Sequence, residues 1–216
     1  FYSLKRRSNM GLINGSCSLT RFIVEDPLPE NYLETFPPLI QRYAFRGFDE
    51  SSEVERSIGW VNIMDMFDSH FNRMQYLKEP YLALTWRIDV RNVPNKALKQ
   101  YSLEAERKVM EMEDLEFLPK GKRKEIKEMT RASLLKRAIP SSRIYDTVWN
   151  LDKGYVLFGG ATRKLCDEFS TFFHKCFNIR LGSVYPYLTA SGFLEQEGQR
   201  PEQLDELTYS ITGVNN

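Results

Sequence analysis

The sequence predicts an α+β protein, with mixed or antiparallel sheet units packed against helices and a protruding antiparallel helical hairpin at about residues 96–138. Three observations support this prediction. Short runs rich in β-branched and aromatic residues alternate with segments whose apolar residues recur at helical spacing. Two long, highly charged helical segments follow each other with only a short break at Leu118–Gly121. Fourteen Phe and eleven Tyr residues, in a chain that is 42% hydrophobic, are enough to build a core.

The first predicted unit, residues 18–95, has the order strand, helix, strand. A run of β-branched and aromatic residues predicts a strand at 18–24, and a helical apolar period predicts a helix at 31–43. Two adjacent prolines inside that helix predict a kink or a break. The clearest strand is 81–90, because its second half alternates polar and apolar residues. Residues 62–79 have no clear pattern.

The helical hairpin is predicted to consist of a helix at 96–115 and a second helix at 122–138. A narrow apolar stripe on the first helix is typical of packing against one partner helix. On the second helix, Ile126 and Met129 are predicted to face that partner, and near Ala132 the helix is expected to bend or to change its packing partner. Four basic residues fall within about a 60° arc of this helix at 100° per residue: Lys120, Lys124, Lys127 and Arg131.

The second predicted unit, residues 139–188, has the order β-hairpin, helix, strand. Gly154 supplies the turn of the β-hairpin, since glycine reaches positive φ without steric cost. An amphipathic helix is predicted at 162–177 with Thr162 as its N-cap, and a strand is predicted at 179–185. Together with the first unit, this order is consistent with an internal duplication.

Charge is unevenly distributed along a chain whose net charge is only +1. Residues 101–118 carry six acidic and two basic side chains, a net charge of −4, and residues 119–138 carry eight basic and two acidic ones, a net charge of +6. Residues 189–216 form an acidic C-terminal tail with five acidic side chains and one basic side chain. This tail fits either a linker or a strand at 207–211.

The basic helix is the strongest functional signal in the sequence. Clustered Lys and Arg side chains release counterions from phosphates and so drive DNA binding without sequence preference. No recognition-helix or aromatic RNA-binding motif accompanies them, so base edges are not expected to be read. The competing interpretation is a solvated helix face that only keeps the protein in solution. The candidate DNA-binding residues are Lys120, Lys122, Arg123, Lys124, Lys127, Arg131, Lys136 and Arg137.

A catalytic role has little support in the sequence. A nuclease needs two or three carboxylates held around Mg²⁺, and the candidates are the close pairs Asp65 with Asp68 and Glu53 with Glu55. Glu125–Lys127 has the spacing of a nuclease motif, but that motif normally lies on a strand rather than in a basic helix. We therefore predict no catalytic residues, no metal ligands and no cofactor. An Mg²⁺-dependent exonuclease remains an alternative.

Cysteine and glycine residues are expected to have structural roles. The three cysteines, at positions 17, 166 and 176, show no CxxC spacing, so neither a disulfide framework nor a zinc site is expected, and a reducing cytosol is the default. Gly159–Gly160 precedes a predicted helix and could cradle a phosphate, but a simple turn is the favoured interpretation. No apolar run reaches the roughly 18 residues of a membrane span, so no membrane partner is expected.

The order of these segments resembles that of a known family. The matching features lie between about Leu19 and Pro186, and they are the opening strand and helix, Gly59–Val61, Ser133–Ala138, the Lys153–Gly154 turn and the helix start Ala161–Lys164. In this order they resemble the family of the recombination-associated protein RdgC, whose members are often labelled exonucleases. Two features of this sequence differ from the family pattern. Lys136 stands where members of the family tend to have proline, and members of the family continue into a further C-terminal region that has no counterpart in the matching segments.

The resemblance implies a bacterial, cytoplasmic protein associated with the nucleoid. Members of the family form head-to-tail dimeric rings around double-stranded DNA, bind it with little sequence preference and restrain RecA-driven strand exchange. From the resemblance we expect non-specific duplex binding, self-association as a dimer and a role in DNA recombination. The residues themselves also allow a protein-interaction module, in which the acidic and basic helices of the helical hairpin pair with a neighbouring copy.

Overall fold

The computed structural model describes residues 18–49, 52–71, 74–184 and 186–204. Within them the predicted α+β class is confirmed, because helices pack on an antiparallel sheet of seven strands. The strands are β1 (Thr20–Val24), β2 (Arg56–Asn62), β3 (Leu77–Lys78), β4 (Tyr81–Val90), β5 (Ser141–Asn150), β6 (Tyr155–Phe158) and β7 (Leu181–Ser183). The helices are α1 (Tyr32–Arg42), α2 (Asn95–Met112), α3 (Lys120–Arg137), α4 (Arg163–Phe177) and α5 (Pro186–Gln196), followed by a 3-10 helix at Pro201–Leu204.

Strands from both predicted sheet units belong to one sheet. Its order is β2-β4-β5-β6-β1-β7, and β3 pairs with β4 outside this path. β4 pairs with β5 over their whole lengths, and β1 lies between β6 and β7. Hydrogen bonds between β4 and β5 thus join the two predicted sheet units in space. The predicted division along the chain, into 18–95, 96–138, 139–188 and 189–216, stays a prediction.

Helix α4 packs its aromatic side chains on one face of the sheet and builds much of the core. Phe169 stacks on Phe158 of β6 with ring centroids 4.0 Å apart, and its ring lies 5.7 Å from that of Trp86 on β4. All three tryptophans of the chain, each on a different strand, are fully buried. Thr162 occupies the predicted N-cap position of α4, but its side chain makes no capping hydrogen bond.

Helix α1 covers the same face of the sheet and is continuous despite Pro37 and Pro38 inside it. Each proline lacks the N–H that would bond the carbonyl four residues earlier, which is why the sequence predicts a kink or a break. Phe36 and Ile40 are buried in the core, and the Phe36 ring lies 5.0 Å from that of Phe177 on α4. This burial offsets the lost hydrogen bonds.

The segment after α1 runs beside β2 and requires a glycine there. Phe45 N–H donates to the carbonyl of Trp60 at 2.8 Å, and Trp60 N–H donates to the carbonyl of Tyr43 at 2.9 Å. A Cβ at Gly59 would overlap the backbone of Phe45. Glycine therefore lets the two backbones approach closely enough to hydrogen-bond.

The helical hairpin, α2 and α3, interrupts the chain between two strands that pair directly. Val90 at the end of β4 is the register partner of Ser141 at the start of β5. The two helices pack mainly against each other. Ile126 is buried as predicted, and Met129 lines a groove with Tyr101 and Ala105 of α2, as predicted, although its side chain is 67% exposed.

The C-terminal part of the chain differs from its predicted pattern. The strand predicted at 179–185 is shorter, since β7 contains only Leu181–Ser183. The first part of the predicted acidic tail is helical rather than a linker, since α5 continues through Gly192 to Gln196. One glycine costs a helix only about 1 kcal/mol relative to alanine, so it does not prevent helix formation. The strand considered at 207–211 lies outside the described residues.

Candidate nucleic-acid interface

All eight candidate DNA-binding residues lie on α3, and all but the half-buried Lys122 are exposed. The four residues of the predicted arc share one side of this single helix and are all exposed to solvent. From the first to the last of them, α3 rises about 16 Å at 1.5 Å per residue. The structure thus presents Lys120, Lys124, Lys127 and Arg131 as one basic surface, which we call the α3 arc.

Near its N-terminus, α3 pairs with acidic residues of α2 and of the link that follows it. Lys122 Nζ forms an ion pair with the Glu113 carboxylate, and Arg123 Nε lies 4.0 Å from Glu106 Oε2. The Arg123 guanidinium also lies 5.3 Å from the centre of the Phe117 ring. Two of the predicted DNA-binding residues therefore help to hold the helical hairpin together.

Near its C-terminus, α3 pairs with the acidic segment that precedes β2. Arg131 forms an ion pair with Glu55, and Lys136 Nζ lies 3.6 Å from Glu53 Oε1. These contacts begin close to Ala132, where the sequence predicts a bend or a change of packing partner. The helix is continuous across this point, and what changes there is its set of neighbouring residues.

Three of the eight candidates, Lys120, Lys127 and Arg137, form no ion pair within the part of the chain that the structure describes. Among the described residues, Lys124 forms an ion pair only with Glu128, one turn along α3, at 3.8 Å. An exposed ion pair is worth about 0–1 kcal/mol. The paired side chains could therefore exchange these carboxylates for phosphates at small cost.

The tip of the helical hairpin carries exposed apolar side chains. Met112 is 86% exposed and Phe117 is 66% exposed, while Leu118 beside them is fully buried. Leu115 is also exposed. This tip could not be recognised from the sequence, because isolated apolar residues in a link between helices have no distinctive spacing.

The carboxylates considered for a nuclease have structural partners. Phe67 N–H donates to Asp65 Oδ1 at 3.0 Å, and Asp68 accepts from His70 N–H at 2.9 Å. The backbone N–H of His70, followed by the Asn62 side chain, holds the pKa of Asp68 below its usual range. Among the residues that the structure describes, no group of three or more His, Cys, Asp or Glu side chains could hold a metal ion.

The buried thiol of Cys176 is part of the core. Trp60 Nε1 donates to its sulfur at 3.2 Å, and the side chain is almost completely buried. Burial raises the pKa of Cys176 to about 12, although the hydrogen bond from Trp60 acts in the opposite direction. A thiol with such a pKa stays protonated at neutral pH and is a poor nucleophile.

Comparison with models of known protein families finds no family that matches the sequence. Comparison with curated proteins finds no match either. The resemblance to the RdgC family therefore stays a prediction from the residues. None of the helices in the described ranges is both long and apolar enough to cross a membrane.

Proposed function

We propose that this protein binds double-stranded DNA without sequence preference through the α3 arc. The observation that carries the proposal is the exposure of four cations on one side of a helix that packs mainly against α2. Each Lys or Arg that meets a phosphate releases a condensed counterion, so binding gains free energy without reading a base. Within the α3 arc, Lys120 and Lys127 contribute most directly, because neither has an ion pair to exchange among the described residues.

The resemblance to the RdgC family supports the cellular part of the proposal. On that basis the protein acts as a dimer on the bacterial nucleoid and modulates DNA recombination. The resemblance is carried by segments outside the α3 arc, among them Ser133–Ala138 and the helix start at Ala161–Lys164. DNA binding and the role in recombination can therefore fail separately.

The salt dependence of duplex binding tests this proposal. Binding to a duplex should weaken steeply as salt rises, and the paired variant Lys120→Gln/Lys127→Gln should make the slope of log K against log salt less negative by about 1.8, or 0.9 per lost phosphate contact. Fluorescence anisotropy with two duplexes of unrelated sequence measures this, and both should respond equally.

The matched control is Lys153→Gln/Lys175→Gln, which removes the same charge from exposed positions outside the helical hairpin. It should leave the slope nearly unchanged. Absence of duplex binding at low salt would contradict DNA binding through α3. So would a control variant that makes the slope less negative by as much as the α3 variant does.

The exposed tip of the helical hairpin favours a second candidate function, association with another copy of the chain. Met112 and Phe117 expose apolar surface that a second copy could cover. Two of the cations expected to drive such pairing are engaged within one chain, since Lys122 and Arg123 pair with Glu113 and Glu106. We therefore place the contact at the apolar tip, while the sequence suggests a contact between the charged helices.

Light scattering distinguishes this second candidate. Met112→Ser/Phe117→Ser should convert a dimer to a monomer, and raising the salt concentration should not. Phe193→Ser, on a similarly exposed apolar residue of α5, is the control and should leave the dimer intact. If the molar mass of the tip variant equals that of the parent protein, the tip is excluded as the contact.

A further inference from the structure

A second positively charged region lies near the base of the helical hairpin, in a cleft on the α4 side of the sheet. The cleft has a volume of about 950 Å³, within the range of about 300–1,000 Å³ that is usual for small-molecule sites. It opens where β4 ends and β5 begins, beside the first turn of α4. Its apolar floor consists of Ile88, Val90, Tyr145 and Leu165.

Three cations from three different elements line this cleft: Arg56 on β2, Arg143 on β5 and Lys164 on α4. Arg56 pairs with Glu168, one turn after Lys164. Arg143 and Lys164 are exposed and form no ion pair within the described residues. The cleft therefore holds more positive than negative charge.

The strand register fixes the two arginines on the same face of the sheet. Arg56 is the partner of Val90, and Arg143 is the partner of Ile88, two residues earlier on β4. Side chains of register partners point to the same face, and strands lie about 4.8 Å apart. The two arginine Cα atoms are thus on the order of 11 Å apart across β4, a gap that suits a ligand between them.

Asp146 is the other carboxylate residue among those that line the cleft. Asp146 neighbours Tyr145 in β5, so its side chain points to the opposite face of the sheet. There its Oδ1 accepts from Thr85 Oγ1 at 2.6 Å. Glu168 is therefore the carboxylate that shares the cleft with the three cations, and Arg56 already holds it.

Backbone groups at the start of α4 add donors to the same cleft. The Thr162 side chain makes no capping hydrogen bond, so it leaves the first N–H groups of α4 uncapped. A side chain at Gly160 would come within 2.6 Å of Leu165 and Phe158. Glycine keeps this turn tight beside the α4 N-terminus, where anions are favoured.

We propose that this cleft binds a nucleotide, with its phosphate held by Arg143 and Lys164 and its base and sugar over the apolar floor. The unpaired cations supply charge-assisted hydrogen bonds to the phosphate oxygens. The ligand is either a free nucleoside monophosphate or the terminal nucleotide of a nucleic acid strand, since both present the same chemistry. The site goes beyond DNA binding by α3, because none of its residues lies on the helical hairpin.

Amide NMR on the nitrogen-15-labelled protein tests the cleft and the α3 arc separately. Thymidine 5′-monophosphate should shift the amide signals of Gly159 and Gly160, while Gly121 at the start of α3 reports on the other surface. Thymidine without phosphate should shift them far less. A short single-stranded oligothymidylate that shifts the cleft signals when the free nucleotide does not would identify the strand end as the ligand.

The variant Arg143→Gln/Lys164→Gln should weaken binding by roughly tenfold for each cation removed. Lys153→Gln/Lys175→Gln is the control with the same charge change and should bind normally. No shift at Gly159 and Gly160 with either phosphate probe, equal shifts with thymidine, or unchanged affinity in the first variant would each overturn the proposal. Shifts at Gly121 alone would overturn it while leaving DNA binding by α3 intact.

Discussion

Single side chains decide how the core responds to pH. Cys176 is enclosed by aromatic side chains of the core, and Trp60 donates a hydrogen bond to its sulfur. Because burial raises the thiol pKa from 9.0 to about 12, the native protein keeps the proton over a range in which the unfolded chain loses it. This difference makes the thiol a source of pH-dependent stability.

The sign of that dependence can be worked out from proton binding. Below pH 9 both states hold the thiol proton and stability does not change. Between pH 9 and 12 the native state binds more protons than the unfolded state, so the free energy of unfolding falls as pH rises, by about 1.4 kcal/mol per pH unit. Only a protein that contains the Cys176 thiol shows this contribution.

We therefore expect Cys176→Ala to be less stable than the parent protein at pH 8, because the substitution removes buried volume. As the pH rises the parent loses stability and the variant does not, so the difference in unfolding free energy should shrink by about 2 kcal/mol between pH 9 and 10.5. Urea unfolding of both proteins across this range measures it. A difference that stays constant with pH would show that the thiol titrates normally in the folded protein.

At the scale of elements, α3 is both a surface and a structural part. Its first turns pair with α2, and its last turns pair with Glu53 and Glu55 before β2. Those carboxylates compete with phosphates for Arg131 and Lys136. The acidic segment thus limits the charge that α3 can offer to DNA.

Removing this competition should strengthen duplex binding. In Glu53→Gln/Glu55→Gln, Arg131 and Lys136 are free to meet phosphates, so we expect tighter binding and a salt slope more negative by up to about 1.8. The stability cost should be below about 2 kcal/mol, since each exposed pair is worth about 0–1 kcal/mol. Anisotropy titrations and urea unfolding measure the two effects.

The control for this variant is Glu30→Gln/Glu34→Gln, which changes the net charge equally at exposed positions near the start of α1. It should raise duplex affinity much less. Equal gains in the two variants would mean that affinity follows net charge alone, and that the ion pairs of α3 do not limit its contact with DNA.

At the scale of the whole molecule, the helical hairpin lies outside the main aromatic core of the sheet. None of the buried residues of α2 and α3 belongs to the main aromatic core, whose members come from the strands, α1, α4 and adjoining segments. The chain leaves and re-enters the sheet at Val90 and Ser141, which are register partners. Register partners lie about 5 Å apart, so a short turn can join them.

We expect the core to fold after residues 93–139 are replaced by a short glycine-containing turn. Near-UV circular dichroism of the three buried tryptophans should persist, far-UV signal should fall by two 18-residue helices, and duplex binding should be lost. Loss of cooperative unfolding would show that the helical hairpin supports the sheet. Retained duplex affinity would exclude α3 as the DNA contact.

Local pattern explains how much of this architecture could be predicted from sequence. The α+β class, β4 and the charged helices follow from periodicity within each segment. The ion pair of Arg131 with Glu55 joins residues 76 positions apart, and no local pattern encodes such a distance. The cleft was missed for the same reason, since Arg56, Arg143 and Lys164 meet only after the strands have paired.

The position of β1 between β6 and β7 has a consequence for folding during synthesis on the ribosome. Thr20 bonds to the carbonyl of Gly160, 140 positions later. At about 5–20 residues per second, this separation means a wait on the order of ten seconds between synthesis of β1 and synthesis of its partners. During that time Phe22 has no native strand to pack beside, so the nascent chain is expected to need protection by a chaperone until α4 has emerged.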